Sequence, residues 1–373
     1  MQKPKIILIN VLLFSLTGLA ALFLVPVEAI MHGIDWKEWL AFVLLAGYAG
    51  MSITAGYHRL WSHKAYQAHP AIRFIFALGG ALALQNSALH WSSDHRVHHK
   101  HVDDIDKDPY SIRRGFWFAH IGWMLREYQA NRYSDYANCR DLQKDAIVMW
   151  QHKYYLPLVI VMNIGLPVVL GWLNGDVWGM FLMAGVLRLV FSHHVTFLIN
   201  SAAHMWGKRT YTEDNTARDN GVLALFTYGE GYHNFHHKFE YDYRNGIQWW
   251  HYDPTKWLIA VLAKMGLATG LRRCPQEKIE QAIASMQLKQ YEQQLSQLPN
   301  ADELLARLHA EYDALIERIG AYYDTRKRLL EIKRKQLLRA YDKFDLDMHY
   351  RELKMQLQVQ RYKWAQFGKL TCV

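Results

Sequence analysis

The sequence predicts an all-α integral membrane protein: four transmembrane helices in two hairpins, a cytosolic helical cap, and a C-terminal helical, coiled-coil-like extension. Three observations lead there. Several apolar runs are long enough to cross a bilayer, histidines cluster at and beyond the ends of those runs, and a heptad repeat occupies the final quarter. A chain of 373 residues with 51% hydrophobic content, 14 Trp and 22 Tyr has room for one large domain and an appendage. The composition shift places these at residues 1–274 and 275–373.

Residues 6–25 form an uncharged run of the ~20 residues that a span needs. Lys3 and Lys5 ahead of it imitate a signal peptide, but the run is long for one and no cleavage site precedes Pro26, so it reads as a retained span. Residues 39–57 make the second span, entered through the interfacial aromatics Trp36 and Trp39 and ending on His58. The run 72–89 is also apolar. If it crossed, His58 and His95 would face opposite sides, so a helix in or under the interface, interrupted by Gln85 and Asn86, is expected instead. Residues 154–173 and 177–200 form a second hairpin about Asn174-Gly175-Asp176, with kinks expected at Pro157 and Pro167. The cap then comprises residues 58–150 and 204–274, with Trp249, Trp250, Trp257 and the stretch 257–267 against the membrane surface.

Loops on the histidine side carry Arg59, Lys64, Arg73, Lys100, Lys107, Arg113, Arg114, Arg126 and Arg132, whereas the opposite turns offer only Lys37. The positive-inside rule therefore puts the histidines and both termini in the cytoplasm, with a bacterial inner membrane as the expected setting. The net charge of +9 fits anionic lipid or a phosphorylated substrate; no nucleic-acid-binding motif accompanies it, so no nucleic-acid partner is expected. Cys139, Cys274 and Cys372 lack CxxC spacing, which points to reduced thiols and to no disulfide frame or iron–sulfur cluster.

In the tail, Leu308, Leu315, Tyr322 and Leu329 recur every seven residues, with Leu305, Tyr312 and Ile319 between them. Such a seam serves a helical hairpin packed on its own chain, a homo-oligomer, or a docked partner. The basic stretch 326–339 suits anionic lipid.

The histidines carry the chemistry. His95, His98 and His99, and again His233, His236 and His237, stand at i, i+3 and i+4 and share one helix face. His58 and His63 are five apart, about 500° on a regular helix, which separates their rings; one is expected from a helix end and the other from the following loop. Eight imidazoles in three clusters exceed the needs of one tetrahedral zinc and point to two metals. Asn200 and His204 share a face and both reach toward this region. Arg188, His193 and His194 lie inside the fourth span, where ionisable groups are functional candidates; His193 reads either as a ligand or as a hydrogen-bonding group of the bundle. Phe42, Ala46 and Gly50 form a ridge on the second span that either lines the blind end of a substrate path or packs helices. The remaining histidines, among them His90, His120 and His152, read as ordinary core or surface residues.

The segments HRLWSH, DHRVHH, NSAAH and GEGYHNFHH, in that order, together with DPYSIRRGFWFAHIGW, resemble the membrane-bound acyl-CoA desaturases of the stearoyl-CoA Δ9 type over residues 1–272. The resemblance implies a non-haem di-iron centre held by His58, His63, His95, His98, His99, His204, His233, His236 and His237, with Asn200 acting through a water. It further implies that Gln85, Trp91 and Thr196 shape a bent acyl tunnel, while Asn86, Asp94, Arg113, Arg114 and Arg126 meet the CoA headgroup. The substrates would be a long-chain acyl-CoA and O2, and the product a cis double bond. No HPGG-type haem segment occurs, so electrons would come from a separate ferredoxin or cytochrome-like protein with its reductase. Removing hydrogen from unactivated methylenes needs an oxidant stronger than any side chain, so metals must supply it. Phe197 and Ser87 depart from residues common in that family and bear on substrate preference. Two other readings remain: a histidine-box hydroxylase of alkyl or sterol substrates, and a non-catalytic zinc-binding membrane receptor.

Overall fold

The computed structural model describes residues 4–128, 133–335 and 340–370. Lys3, Arg132 and Cys372 lie outside these, as does part of the basic stretch 326–339. The chain divides into two compact units, one of residues 1–209 and 214–273, the other of residues 210–213 and 274–373.

In the first unit four helices are long and apolar enough to cross a membrane: Leu8–Met31, Trp36–Ser62, Tyr155–Asn174 and Val177–His204. The first continues through Pro26 to Met31, six residues past the expected end, because the chain adopts a π turn at Ala20–Leu24 and places Pro26 where its missing N–H costs little. Kinks at Pro157 and Pro167 do not interrupt the third span. Pro157 sits in its first turn, where the N–H has no intrahelical partner, and a π segment at Val161–Gly165 precedes Pro167. The two hairpin turns meet: Asp35 caps the second span through the N–H groups of Lys37 and Glu38, and its other oxygen accepts from Asn174 Nδ2 at 2.9 Å. Gly175 closes the third span at φ 86°, a left-handed position that glycine takes at no steric cost, and Asp176 caps the fourth.

The apolar run after the second span forms Pro70–Ala83, breaks, and resumes as Ala88–His101 at an angle of 80°. Leu84 and Asn86 take left-handed conformations in the break, and Ser87 starts the second helix by accepting from His90 N. The end of Pro70–Ala83 leaves carbonyls without helical partners. Three polar residues from the spans take them: Asn163 Nδ2 donates to Ala81 O, Arg188 Nη1 to Leu82 O, and His193 Nε2 lies within 3.2 Å of Ala83 O and Leu84 O. Arg188 and His193 are therefore structural anchors of the break, not metal ligands. Arg188 is fully buried, and its other nitrogens reach Asn163 Oδ1 and Ala184 O.

A two-stranded ladder, Gln67–Ala68 against Ala268–Thr269, ties the start of the cap to its end. The second unit is built from the helices Gln276–Leu295, Ala301–Lys335 and Ala340–Leu370. Leu308, Leu315 and Ile319 bury against Tyr291, Leu357, Trp364 and Phe367, so the heptad seam is filled within the chain.

Candidate metal centre

The five-residue spacing of His58 and His63 separates their rings only on an α-helix. Ser52–Ser62 winds instead as a π-helix, and His63 N donates to His58 O five residues back at 3.1 Å. One π turn aligns residues i and i+5, and the two rings lie 4.8 Å apart. His58 stands near the helix end and His63 at the C-cap just past it, as expected; it is the π winding that brings the two rings together. His95, His98 and His99 come from Ala88–His101, His204 from the end of the fourth span, and His233, His236 and His237 from the helix His233–Lys238. Asp219 steadies that last helix, accepting from Asn234 N and Phe235 N at 2.8 and 3.1 Å.

The nine rings separate into two clusters, one of His58, His63, His95, His99 and His236, the other of His98, His204, His233 and His237, with ligand atoms in each within 4.8 Å of one another. This division was not readable from spacing: His98 and His99 are adjacent yet go to different clusters, because successive helix positions point about 100° apart. His236 and His237 separate for the same reason.

Most rings are held from behind through Nδ1. His58 Nδ1 lies 2.9 Å from Glu230, His98 Nδ1 2.8 Å from Asp108, and His99 Nδ1 2.9 Å from Glu240. His95 Nδ1 is 3.3 Å from the Tyr110 hydroxyl, and His204 Nδ1 is 2.9 Å from Thr216 Oγ1, which donates to Asp103. A ring that gives its Nδ1 proton to a carboxylate presents a bare lone pair at Nε2. His58 and His99 both aim Nε2 at His236 Nε2, each at 3.0 Å, and one proton on His236 can serve only one of them. In the second cluster His233 Nε2 sits 3.1 Å from both His204 Nε2 and His237 Nε2. Burial pushes His63, His95, His233, His236 and His237 well below the ordinary imidazole range and takes His99 to about 4, so protons do not relieve the crowding. Converging neutral imidazole lone pairs, braced by carboxylates, are the arrangement that a metal cation satisfies.

A cavity of about 390 Å³ abuts the first cluster. Trp91 and Tyr110 line it, the one stacked on the His95 ring at 4.8 Å and the other bonded to His95 Nδ1. Gln85, Asn86, Asp94, Arg126, Thr196 and Asn200 also line it, as do Phe197 and His193. Gln85 ties three walls together: its Nε2 donates to Thr196 Oγ1 at 2.9 Å and its Oε1 accepts from Trp91 Nε1 at 3.3 Å. The opposite wall is the first span, through Ile7, Asn10, Leu13 and Phe14, which sequence reasoning did not single out. Their only signal is that Asn10 is polar in an apolar run; its amide donates to Met124 O.

Four residues considered for substrate contact lie outside this lining. Arg113 and Arg114 are exposed, and Arg114 stacks on Phe118 and Tyr128. Phe42 packs on Trp39 and Phe191, and Ala46 is buried with its carbonyl accepting from the Tyr228 hydroxyl. Gly50 completes that ridge because a Cβ there would meet the Tyr228 ring at 2.1 Å. Ser87, the other departure, bonds His152 Nδ1 at 2.7 Å.

The sequence model of the fatty acid desaturase family matches residues 37–271, which hold every one of these histidines. The chain belongs to the fatty acid desaturase family. It is similar to a probable acyl-CoA desaturase of Schizosaccharomyces pombe, 43% identical over 254 residues (68% of this chain, 53% of that protein). It is also similar to acyl-CoA desaturase 1 of Saccharomyces cerevisiae, 41% identical over 241 residues (64% and 47%), and to stearoyl-CoA desaturase 5 of Bos taurus, 37% identical over 286 residues (75% and 83%). The chain thus spans about half the length of the two yeast relatives and most of the bovine one. Among desaturases, then, the paired histidine clusters and the adjacent cavity are the features that bear on activity.

Proposed function

We propose that this protein is an O2-dependent fatty acyl-CoA desaturase that places a cis double bond, at the Δ9 position, in a saturated long acyl chain. The observation that carries the reading is the pair of imidazole clusters, five and four rings, beside a largely apolar cavity that Gln85, Asn86 and Thr196 also line. The two clusters would each hold one iron, with Asn200 reaching the second through a water. Two irons bound there supply the oxidising power, drawn from O2 and two delivered electrons, that unactivated methylenes require.

The chain's own residues do the rest. Glu230, Asp108, Glu240, Tyr110 and Thr216 orient the imidazoles through Nδ1 and keep Nε2 unprotonated. Gln85, Trp91 and Thr196 fix the bend, so that one carbon–carbon bond of a threaded chain is presented beside the histidines. The buried walls exclude water from that bond. Asn86, Asp94 and Arg126 stand where a CoA headgroup would be met, with Arg113 and Arg114 on the exposed surface beyond. By the positive-inside rule, the basic loops favour the cytoplasmic face for this site.

The test is the fatty-acid profile, by gas chromatography with mass spectrometry, of a desaturase-deficient host expressing the full chain or its His98→Ala variant. A new monounsaturated acid that is lost in the variant supports the reading, and its bond position reports the regiochemistry. A hydroxylated product, or none from folded, iron-loaded protein supplied with reductant, refutes it.

A further inference from the structure

The last helix of the second unit, Ala340–Leu370, has two apolar faces. One is used inside the unit, where Leu357, Trp364 and Phe367 bury against Leu308, Leu315 and Tyr291. The other points away from that core. Met348, Met355 and Tyr362 recur every seven residues, with Phe344 four before the first and Val359 four after the second. At about 100° per residue these five fall within a sector of about 60°, roughly opposite the buried face. All five are between 49% and 67% exposed. From Phe344 to Tyr362 the row runs about 27 Å along the helix, and its spacing is that of a coiled-coil seam left open to solvent.

The charges beside the row say what fits it. Asp345 and Asp347 flank its N-terminal end, whereas Arg361 and Lys363 flank its C-terminal end. A parallel copy would set acid against acid and base against base. An antiparallel copy, related by a two-fold axis perpendicular to the helix, reverses the order. Phe344 then meets the partner subunit's Tyr362, and Met348 meets the partner subunit's Val359. At the middle, Met355 packs on the aliphatic stem of the partner subunit's Arg351. In the same register Asp345 falls opposite the partner subunit's Lys363, and Asp347 opposite the partner subunit's Arg361. Arg361 already holds Glu280 of its own chain, so the Asp345 pair is the stronger of the two. Anionic lipid fits the row less well, because Asp345, Asp347 and Glu352 border it.

We propose that this protein self-associates through the outward row of Ala340–Leu370, as an antiparallel two-fold pair. The surface lies outside residues 37–271, the part matched by the family model, so the pairing belongs to this chain's extension and not to the desaturase domain.

The experiment is sedimentation velocity of the full chain in detergent over a range of concentrations, with disulfide trapping in membranes. The wild type should show a reversible monomer–dimer equilibrium. Met355→Asp, on the exposed side and away from the tail's own core, should raise the dimer Kd about a hundredfold with the circular dichroism unchanged. Asp345→Lys alone, or Lys363→Asp alone, should raise it about tenfold. The two together in one chain should restore it, because each copy again presents opposite charges. In a Cys372→Ser background, Met348→Cys in one tagged copy should crosslink to Val359→Cys in another and not to a second Met348→Cys; the reverse pattern overturns the antiparallel pairing. A wild-type chain that stays monomeric, or a dimer that Met355→Asp leaves intact, overturns the proposal. So does a label at residue 355 that brominated lipid quenches in nanodiscs, since the membrane then covers the row.

Discussion

His58 and Arg59, neighbours in the chain, divide one buried carboxylate between them: Glu230 Oε2 lies 2.9 Å from His58 Nδ1, and Oε1 lies 2.9 Å from Arg59 Nη2. The π winding lets consecutive residues reach the same acid. Arg59 also binds Asp253 and Tyr243 O, and Asn245 Nδ2 donates to Glu230, so the acid that orients a histidine is itself fixed. Burial pushes the Glu230 carboxyl up, but the Arg59 guanidinium and the hydrogen bonds from His58 and Arg59 override this and hold it below the ordinary range.

Glu230→Gln should keep the shape but release His58 from a charged acceptor. We expect metal affinity of the five-histidine cluster to fall about 10–100-fold, with the fold retained. Arg59→Met should do more damage, because it strands two buried acids; the expected loss of stability is about 3–5 kcal/mol. Iron titration and thermal melts of the two variants check the order.

Thr196→Val removes the hydroxyl that Gln85 Nε2 donates to, and frees the amide that also holds Trp91. The bend should loosen, giving a lower rate and a mixture of double-bond positions. Mass spectrometry of the products would show a single isomer if the bond has no role in placement.

The buried histidines make metal-free protein sensitive to acid. His63, His95, His99, His233, His236 and His237 have folded pKa values depressed by burial from 6.5. The unfolded chain therefore binds protons below about pH 6.5 that the folded chain refuses, and stability present above that pH is lost as it falls, by roughly 1.4 kcal/mol per ring per unit. Denaturant melts at pH 7.5 and 5.5 should show this destabilisation, and metal retention should fall over the same window.

Leu315→Asp puts a charge into the core shared by Leu308, Ile319, Leu357 and Trp364. The tail should lose its packing, at a cost of about 3 kcal/mol or more. Iron content and product formation of the full chain should remain, since all nine clustered histidines lie in the other unit. A parallel loss of iron would show that the tail supports the site.

Much of this was legible beforehand because it rests on local rules. An i, i+3, i+4 spacing states which histidines share a face, and run length with polarity states where spans lie. The acids that brace the rings were less legible. Asp108 follows by ten residues the His98 that it holds, whereas Glu230 and Glu240 flank the third box but hold His58 and His99 of the other two, and many acids lie as near a histidine. Nothing local says which one turns toward Nδ1.

By itself the sequence determined the four spans, the histidine set and the family, since each depends on residue type and on spacing along one helix or loop. Tertiary structure decided what depends on winding and on distant partners. The π coil brought His58 and His63 together against α-helical arithmetic. The 80° break, capped by Asn163, Arg188 and His193 from other helices, turned two in-span ionisable residues, Arg188 and His193, from candidates into anchors. The division of nine rings into five and four followed, because the convergence of atoms from four segments is a property of how helices pack, and no single segment encodes it.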